Sequence, residues 1–317
     1  MKAVFLDWAT VSRGDLDLDA LREVLPALEL FDDSTAEQTR DRIAGAEVVI
    51  ANKIRLDAEL IRSARDLKLI ALVATGTNNV DLAAARERNI AVCNVRAYCT
   101  QSVVQHVFGV LLALTHRFAD YQQLLRAGEW TRSPQFCLLA YPIRELAGLE
   151  LGIVGYGELG RAVARVAEAF GMAVLVANRP GGAREAQRYD LEDLLRRVDV
   201  LSLHCPLTEH TQGLIGAREL GLMKRDAVLI NTARGALVDT AALADALRAG
   251  TIGGAAIDVL AQEPPIDGSP LLDPDIPNLI LTPHIAWAAR EARQRALDQL
   301  AENVASFLAG GTLRRVD

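Results

Sequence analysis

Short apolar runs alternate with amphipathic segments along the first part of the chain, between Lys2 and about Val95. The apolar runs predict strands, and the segments between them show the spacing of helices with one apolar face. The predicted strands are Ala3–Leu6, Ala27–Phe31, Val48–Ala51, Leu69–Val73 and Ala91–Val95, and the predicted helices are Leu18–Leu25, Thr35–Ala44, Asp57–Ala64 and Asp81–Glu87. Strands that alternate with helices predict βαβ units and hence a parallel sheet.

A second series of apolar runs begins at Leu149 and predicts another parallel sheet. Its predicted strands are Leu149–Val154, Ala173–Ala177, Val200–His204, Ala227–Asn231, Gly254–Asp258 and Leu279–Leu281. Six strands with intervening helices are typical of a doubly wound sheet. A last helix, from about Trp287 to Leu308, is predicted to return to the first domain. The predicted fold class is therefore α/β, with two doubly wound parallel-sheet domains and a cleft between them.

A long helix is predicted between the two series, from about Ser102 to Arg126, and Gly128 is predicted to end it. Its apolar face is too broad to cover only one side of a sheet. The helix is either buried between the domains or part of a dimer interface, and periodicity does not separate these two interpretations.

Composition and charge narrow the class of protein. The chain has 317 residues, which is enough for about two domains. Its net charge of −7 argues against nonspecific binding to nucleic acid, and the most apolar run, Val103 to Leu114, is too short to span a bilayer. The four cysteines (Cys93, Cys99, Cys137 and Cys205) lack the spacing of a metal site and indicate reduced thiols in the cytoplasm. We therefore expect a soluble cytoplasmic protein without a metal.

A glycine motif follows the first strand of the second series. Gly155, Gly157 and Gly160 form a G-x-G-x-x-G pattern between that strand and a helix predicted from about Leu159 to Phe170. The first glycine permits a tight turn, the second lets the backbone approach a pyrophosphate, and the third lets the helix pack closely. The helix N-terminus adds free N–H groups and partial positive charge. This context predicts dinucleotide binding.

Polar residues follow three later strands of the same sheet, where ligands of open α/β sheets bind. They are Arg234, Asp258 with Glu263 in the next loop, and His284. An arginine can bind a carboxylate with two parallel hydrogen bonds, and a histidine can exchange a proton near neutral pH. A carboxylate beside the histidine orients the ring and favours its protonated form. Together these residues predict the reduction of an α-keto acid.

The domain assignment follows from the position of the glycine motif. The first series contains no such motif, so we assign the dinucleotide to a Rossmann domain at residues 100–287. The substrate or catalytic domain, flavodoxin-like, then comprises residues 1–99 and 288–317, with hinges near residues 98–101 and 285–290.

At these residues the sequence resembles the D-isomer-specific 2-hydroxyacid dehydrogenases, over essentially the whole chain. The similar segments are Gly155–Gly160, Asn231–Asp239, Asp258–Pro264 and Pro283-His284. The resemblance implies that Arg234, Glu263 and His284 are the catalytic set, with His284 as acid/base. It also implies that Asp258 bonds the nicotinamide carboxamide.

The resemblance also implies a set of binding residues. Those implied for the cofactor are Glu158 and Leu159 at the pyrophosphate, Cys205, Pro206, Thr232 and Ala233 along its cleft, and Thr75. Backbone amides of Thr75 and Gly76 are implied to receive the substrate carboxylate, beside Arg234 and His284. Lys53 follows a strand and either adds positive charge there or is a solvated lysine.

The cofactor preference depends on the end of the second strand of the Rossmann sheet. An acidic residue usually binds the ribose hydroxyls of NAD there, but this chain has Asn178 followed by Arg179. A neutral residue does not repel a 2′-phosphate, and Arg179 can pair with it. We therefore expect NAD(P)H as the cofactor and favour NADPH, the alternative being NADH with an exposed arginine.

Within the family, segments 74–81 and 94–103 look most like the hydroxypyruvate reductase (glycerate dehydrogenase) branch, with glyoxylate as a second substrate. The resemblance also implies a homodimer that binds a small 2-keto or 2-hydroxy acid. The alternatives are another member of the family, such as the phosphoglycerate type, or a dinucleotide-sensing binding protein like the corepressors that share this fold. His106, His116, His204 and His210 are expected to be structural or exposed.

Overall fold

The computed structural model describes residues 1–317 and divides them into two compact units. Unit 1 comprises Met1–Cys99 and Trp287–Asp317, and unit 2 comprises Thr100–Ala286. The second crossing between the units thus lies one residue before the boundary expected from the sequence.

Unit 1 contains a parallel sheet of five strands in the order β2-β1-β3-β4-β5. The strands are β1 (Ala3–Phe5), β2 (Leu28–Leu30), β3 (Val48–Ala51), β4 (Leu69–Leu72) and β5 (Ala91–Cys93), and the helices are α1 (Asp19–Val24), α2 (Ala36–Ile43), α3 (Ala58–Ser63), α4 (Leu82–Glu87) and α12 (Arg290–Leu308). The order 2-1-3-4-5 is that of flavodoxin-like sheets, so the expected class is confirmed. Asp57 and Asp81 cap α3 and α4, where their side chains accept hydrogen bonds from backbone N–H groups.

A buried carboxylate fixes the loop after β3. Asp7 follows β1, and its side chain accepts hydrogen bonds from the backbone N–H groups of Asn52 at 2.9 Å, Lys53 at 2.6 Å and Ile54 at 3.2 Å. Burial raises the pKa of Asp7, and the three backbone donors oppose that rise. Asp7 therefore holds the backbone on which Lys53 is carried.

Unit 2 contains a six-stranded parallel sheet in the order β11-β10-β9-β8-β6-β7. The strands are β6 (Glu150–Val154), β7 (Ala173–Val176), β8 (Val200–Leu203), β9 (Val228–Asn231), β10 (Gly254–Ile257) and β11 (Leu279–Leu281), and the helices are α5 (Thr100–Thr115), α6 (Phe118–Arg126), α7 (Glu129–Arg132), α8 (Glu158–Ala169), α9 (Leu191–Arg197), α10 (Ala217–Leu222) and α11 (Thr240–Arg248). The order in which successive strands are added to the sheet reverses at β6, because β7 pairs with one side of β6 and β8 with the other. In doubly wound sheets this switch point is where ligands bind.

The prediction of a single helix from Ser102 to Arg126 is wrong. The structure has two helices, α5 and α6, separated at Arg117, which adopts a left-handed conformation with φ of 55°. The Arg117 guanidinium is fixed by Asp120 at 2.6 Å and lies 5.1 Å from the centre of the Tyr141 ring. Many α5 residues are buried, whereas α6 buries none, so the apolar pattern crosses a break in the backbone.

No helix of the structure is both long enough and apolar enough to cross a membrane.

A half-buried histidine, His204, lies directly after β8. His204 Nε2 lies 2.9 Å from Ser202 Oγ, and its other ring nitrogen, Nδ1, is shielded from solvent without a hydrogen-bond partner. Burial lowers the pKa of His204 to about 4. A charged imidazolium is therefore strongly disfavoured at this position in the folded state.

The lowered pKa of His204 predicts a loss of stability in acid. Between pH 6.5 and 4 the unfolded chain binds a proton at His204 that the folded chain rejects, so the free energy of unfolding falls as the pH falls. The slope from this one group is about 1.4 kcal/mol per pH unit, up to about 3 kcal/mol in total. Urea unfolding of wild type and His204→Gln across this range measures the contribution, and we expect a shallower slope for the variant. Equal slopes would contradict the assignment.

Candidate active site

The candidate residues of unit 2 lie along one edge of its sheet because neighbouring strands pair in a single register. The last paired positions are Val154, Leu203, Asn231, Ile257 and Leu281. The next residue of each strand extends this row at the carboxyl edge: Gly155, His204, Thr232, Asp258 and Thr282. Side chains at matching positions of parallel strands point to the same face, so the polar members of this row are neighbours.

The glycine motif forms the start of α8 at the switch point. Gly155 has φ of 98°, and a Cβ there would lie 2.4 Å from the backbone nitrogen of Cys205. A Cβ on Gly160 would lie 2.2 Å from the carbonyl oxygen of Gly155, so both positions require glycine. Gly157 is the N-cap of α8, and a Cβ there would meet no atom within 4 Å. Its backbone is open to an approaching pyrophosphate, together with the helix N-terminus at Glu158 and Leu159.

The residues of unit 2 that are expected along the cofactor cleft follow β8 and β9 of the same sheet. Cys205 is buried, and burial raises the pKa of its thiol to about 11, which keeps it protonated at neutral pH. Pro206 is exposed beside it. Thr232 Oγ1 is buried and has no hydrogen-bond partner, while the backbone N–H of Ala233 donates to Asn231 Oδ1 at 3.0 Å. An unpartnered hydroxyl at this edge fits a site that receives a polar ligand.

His284 and Glu263 are brought into direct contact. His284 Nδ1 lies 2.6 Å from Glu263 Oε2, and the other carboxylate oxygen accepts a hydrogen bond from the backbone N–H of Leu260 at 2.8 Å. Both side chains are about one third exposed, at 28% and 34%. Glu263 therefore fixes the ring orientation, and Nε2 of His284 is the nitrogen left to exchange a proton with a ligand.

Arg234 follows β9, and its side chain does not contact this pair. Its guanidinium Nη1 donates to the carbonyl oxygen of Ala233 at 2.7 Å, and no carboxylate of the chain pairs with it. Gly235 next to it is required for close approach rather than for a positive φ, because a Cβ there would lie 2.0 Å from the carbonyl carbon of Leu260. The exposed guanidinium thus stands beside the loop that carries Glu263, with donors available to an anion.

Asp258 is buried, and its carboxylate accepts three hydrogen bonds from the chain itself. Its carboxylate accepts hydrogen bonds from the Thr282 hydroxyl at 2.6 Å and from the backbone N–H groups of Ile285 at 2.8 Å and Ala286 at 2.9 Å. The expectation from sequence placed it only against the nicotinamide. The structure adds that it holds the segment in which His284 lies.

The substrate residues expected in unit 1 follow neighbouring strands. The exposed Lys53 follows β3, and Thr75 and Gly76 follow β4, which pairs with β3. Thr75 Oγ1 donates to the Val95 carbonyl at 2.9 Å, and Asn79 Nδ2 donates to the Ile54 carbonyl at 2.9 Å. The second bond links the loops after β3 and β4, and the first ties Thr75 to the segment after β5.

Asn178 and Arg179 follow β7 at the expected place. The side chain of Asn178 donates to Asp190 Oδ1 at 3.0 Å and accepts from the backbone N–H of Glu185 at 2.9 Å. The other oxygen of Asp190 pairs with Arg184 at 2.5 Å. Arg179 is exposed and forms no ion pair with the chain.

Two polar residues at this site were not expected from the sequence. His106 and Thr282 contact each other, with 3.3 Å between His106 Nε2 and Thr282 Oγ1. The position of Thr282 one residue past β11 is the signal that could have found it. For His106 no such signal exists, because only the packing of α5 shows which loop it faces. The structure contains no cluster of three or more acidic, histidine or cysteine side chains suited to a metal.

Comparison with known proteins agrees with this geometry. The family described as "D-isomer specific 2-hydroxyacid dehydrogenase, NAD binding domain" matches residues 108–286. The chain is 50% identical over 276 residues to a glycerate dehydrogenase of Methylorubrum extorquens, covering 87% of each chain. It is 36% identical to a hydroxypyruvate reductase of Blautia hydrogenotrophica, with 100% of each chain covered.

A solved structure gives the same result for the fold. The crystal structure of the TT0316 protein from Thermus thermophilus superimposes with a TM-score of 0.87 and 37% identity, and all of each chain is covered. The glycine motif, the His284–Glu263 pair and these similarities lead to one assignment. The chain belongs to the D-isomer-specific 2-hydroxyacid dehydrogenase family.

Proposed function

We propose that the protein reduces a small 2-keto acid with NAD(P)H, converting hydroxypyruvate to D-glycerate and glyoxylate to glycolate. The observation that carries the proposal is the His284–Glu263 pair, 2.6 Å apart, at the edge of a dinucleotide-type sheet. The names of the similar glycerate dehydrogenase and hydroxypyruvate reductase support this choice of substrate.

The residues present fit a dinucleotide. The backbone at Gly155, Gly157 and Gly160 leaves room for a pyrophosphate at the N-terminus of α8, and Glu158 and Leu159 begin that helix. Cys205, Pro206, Thr232, Ala233 and Thr75 are the further residues that we propose to line the cofactor, with Asp258 at the nicotinamide carboxamide. When bound, the reduced nicotinamide supplies a hydride to C2 of the keto acid.

The chain supplies binding, polarisation and a proton. Arg234 holds the substrate carboxylate with a two-pronged hydrogen bond, and the backbone amides of Thr75 and Gly76 assist, with Lys53 adding positive charge. His284 Nε2–H faces the carbonyl oxygen and gives its proton as the alkoxide forms. Glu263 stabilises the imidazolium before that transfer and keeps the ring oriented throughout.

The first test is initial-rate kinetics with hydroxypyruvate and glyoxylate, each with NADPH and with NADH. We expect turnover with both acids and a higher rate with hydroxypyruvate. His284→Gln should lower kcat by about 10²–10⁴-fold because the proton donor is lost. Arg234→Gln should raise KM and lower kcat together, since it removes both the carboxylate contact and carbonyl polarisation.

Cofactor binding separates inactive variants from misfolded ones. His284→Gln should retain the wild-type Kd for the dinucleotide, measured by nicotinamide fluorescence. Wild-type turnover in His284→Gln would refute the acid/base assignment. Tight dinucleotide binding by the wild type without reduction of any keto acid would refute the proposed reaction.

We also propose that NADPH is preferred over NADH. Asn178 is neutral and held by Asp190 and Glu185, so it places no negative charge at the ribose. The negative charge of Asp190 is offset by Arg184, and Arg179 is exposed without an ion pair. A guanidinium in this position can pair with a 2′-phosphate.

Arg179→Gln tests this preference. Loss of the 2′-phosphate contact should lower kcat/KM for NADPH by about ten-fold, which corresponds to about 1.4 kcal/mol, and change that for NADH by less than about two-fold. Arg188→Gln is the matched control, because it removes an arginine of the same segment that already pairs with Glu185. An equal effect of Arg179→Gln on both cofactors would contradict the proposal.

We further propose a cytoplasmic homodimer. Cys93, Cys137 and Cys205 are free thiols, as in proteins of reducing compartments. The segment after α5 exposes many large apolar side chains: Phe118, Leu125, Trp130, Phe136, Leu139 and Ile143. Phe136 and Leu139 are 90% and 85% exposed. A second copy of the chain would cover this apolar surface.

Light scattering after gel filtration tests the dimer. Wild type should have twice the 34.3 kDa mass of the chain. The double variant Phe136→Asp, Leu139→Asp should be a monomer, because two charges in an apolar interface are costly to bury. Leu308→Asp, at an exposed leucine elsewhere, is the control and should remain a dimer. A monomeric wild type, or a double variant that stays dimeric, would refute this interface.

A further inference from the structure

We propose that His106 and Thr282 are positioning residues for His284, which they hold through the carboxylate of Asp258. The proposal rests on the proposed function in one respect, since it takes His284 to be the acid/base. The hydrogen bonds themselves lie within unit 2 and do not depend on that role.

Asp258 accepts hydrogen bonds from the backbone of His284 and of the two residues after it. Its carbonyl oxygen accepts from the N–H of His284 at 2.8 Å, and its carboxylate accepts from Ile285 at 2.8 Å and Ala286 at 2.9 Å. His284 has φ of 56°, a left-handed conformation that residues other than glycine rarely adopt. Three consecutive N–H groups bound to one residue maintain this conformation and so direct the ring toward Glu263.

The direction of the remaining hydrogen bonds is fixed by their chemistry. A carboxylate only accepts, so the single hydroxyl proton of Thr282 is donated to Asp258 Oδ1 at 2.6 Å. Thr282 Oγ1 can then only accept from His106 Nε2, which lies 3.3 Å away. His106 therefore carries its proton on Nε2. A chain of hydrogen bonds thus runs from His106 through Thr282 to Asp258. His106 Nε2 also lies 3.9 Å from Asp258 Oδ1.

Helix α5 makes a second contact with the same segment. Ser102 Oγ donates to the carbonyl oxygen of Ala286 at 2.6 Å. Ser102 and His106 are four residues apart and thus lie on one face of α5. The helix therefore holds the segment 282–286 at both ends, with His284 between them.

A histidine with only a structural role would support stability but not the orientation of one loop. If His106 instead acts through Thr282 and Asp258, its loss should loosen residues 282–286 and misalign His284. A misplacement of about 1 Å can lower a rate by about 10²-fold. We therefore expect a fall in kcat with little change in KM, because the groups proposed to bind the carboxylate are untouched.

The test compares two disruptive variants with two conservative ones. His106→Leu and Thr282→Val remove the donor and the hydroxyl, while His106→Gln and Thr282→Ser retain an N–H donor and a hydroxyl. We measure kcat and KM for hydroxypyruvate, and hydrogen–deuterium exchange of a peptide covering residues 282–287 in the ligand-free protein. The disruptive variants should lose roughly ten- to hundred-fold in kcat, keep KM within about two-fold, and exchange roughly ten-fold faster. The conservative variants should recover both properties.

Each outcome decides the proposal. Wild-type exchange and wild-type kcat in His106→Leu would overturn it, as would a His106→Gln variant no better than His106→Leu. If His106→Leu does not fold, Thr282→Val breaks the same chain with a change of nearly equal volume. If the wild type reduces no keto acid, the proposed function fails, whereas the exchange rates of the four variants still decide whether this chain holds the segment.

Discussion

Parallel pairing in a single register is the constraint on which the candidate site of unit 2 depends. It brings the ends of five strands to one edge and sets Gly155, His204, Thr232, Asp258 and Thr282 side by side. A slip of one residue in any pair would turn a polar member to the other face of the sheet. The interior of the strands is buried and apolar, so the core of unit 2 enforces the register that the site requires.

Some polar side chains of the site are fixed by hydrogen bonds within the chain, and others keep donors that the chain does not use. Asp258 is buried and bonded to the segment around His284, and Glu263 is held by a backbone donor while it contacts His284. Arg234, in contrast, touches only a backbone carbonyl. In a chain with a net charge of −7, an anionic substrate depends on such a local cation. Hydrogen bonds within the chain thus hold Asp258 and Glu263 in place, whereas no carboxylate of the chain pairs with the Arg234 guanidinium.

The sequence predicted the features that arise from local pattern. Strand positions, the glycine motif and the proximity of Glu263 to His284 follow from periodicity, turn chemistry and the carboxyl-end rule. The break between α5 and α6 could not be predicted, because a left-handed arginine at Arg117 has no local signal and is fixed by Asp120. The contact between His106 and Thr282 could not be predicted either. It depends on the packing of one helix against a loop 176 residues away in the chain.

The buried side-chain atoms without a hydrogen-bond partner lie at the carboxyl edge of the sheet in unit 2, where ligands of such sheets bind. His204 Nδ1 and Thr232 Oγ1 are buried without partners, and both belong to the row at the carboxyl edge. Leaving such a group unpaired costs free energy, and a domain selected only for stability would fill the positions with apolar side chains. Elsewhere along this row, Thr282 donates to Asp258, and Asp258 accepts hydrogen bonds from the backbone N–H groups of residues 284–286. The polar edge therefore combines groups fixed by the fold with groups that only a ligand or a water molecule can satisfy, which is the arrangement expected where a sheet binds a cofactor.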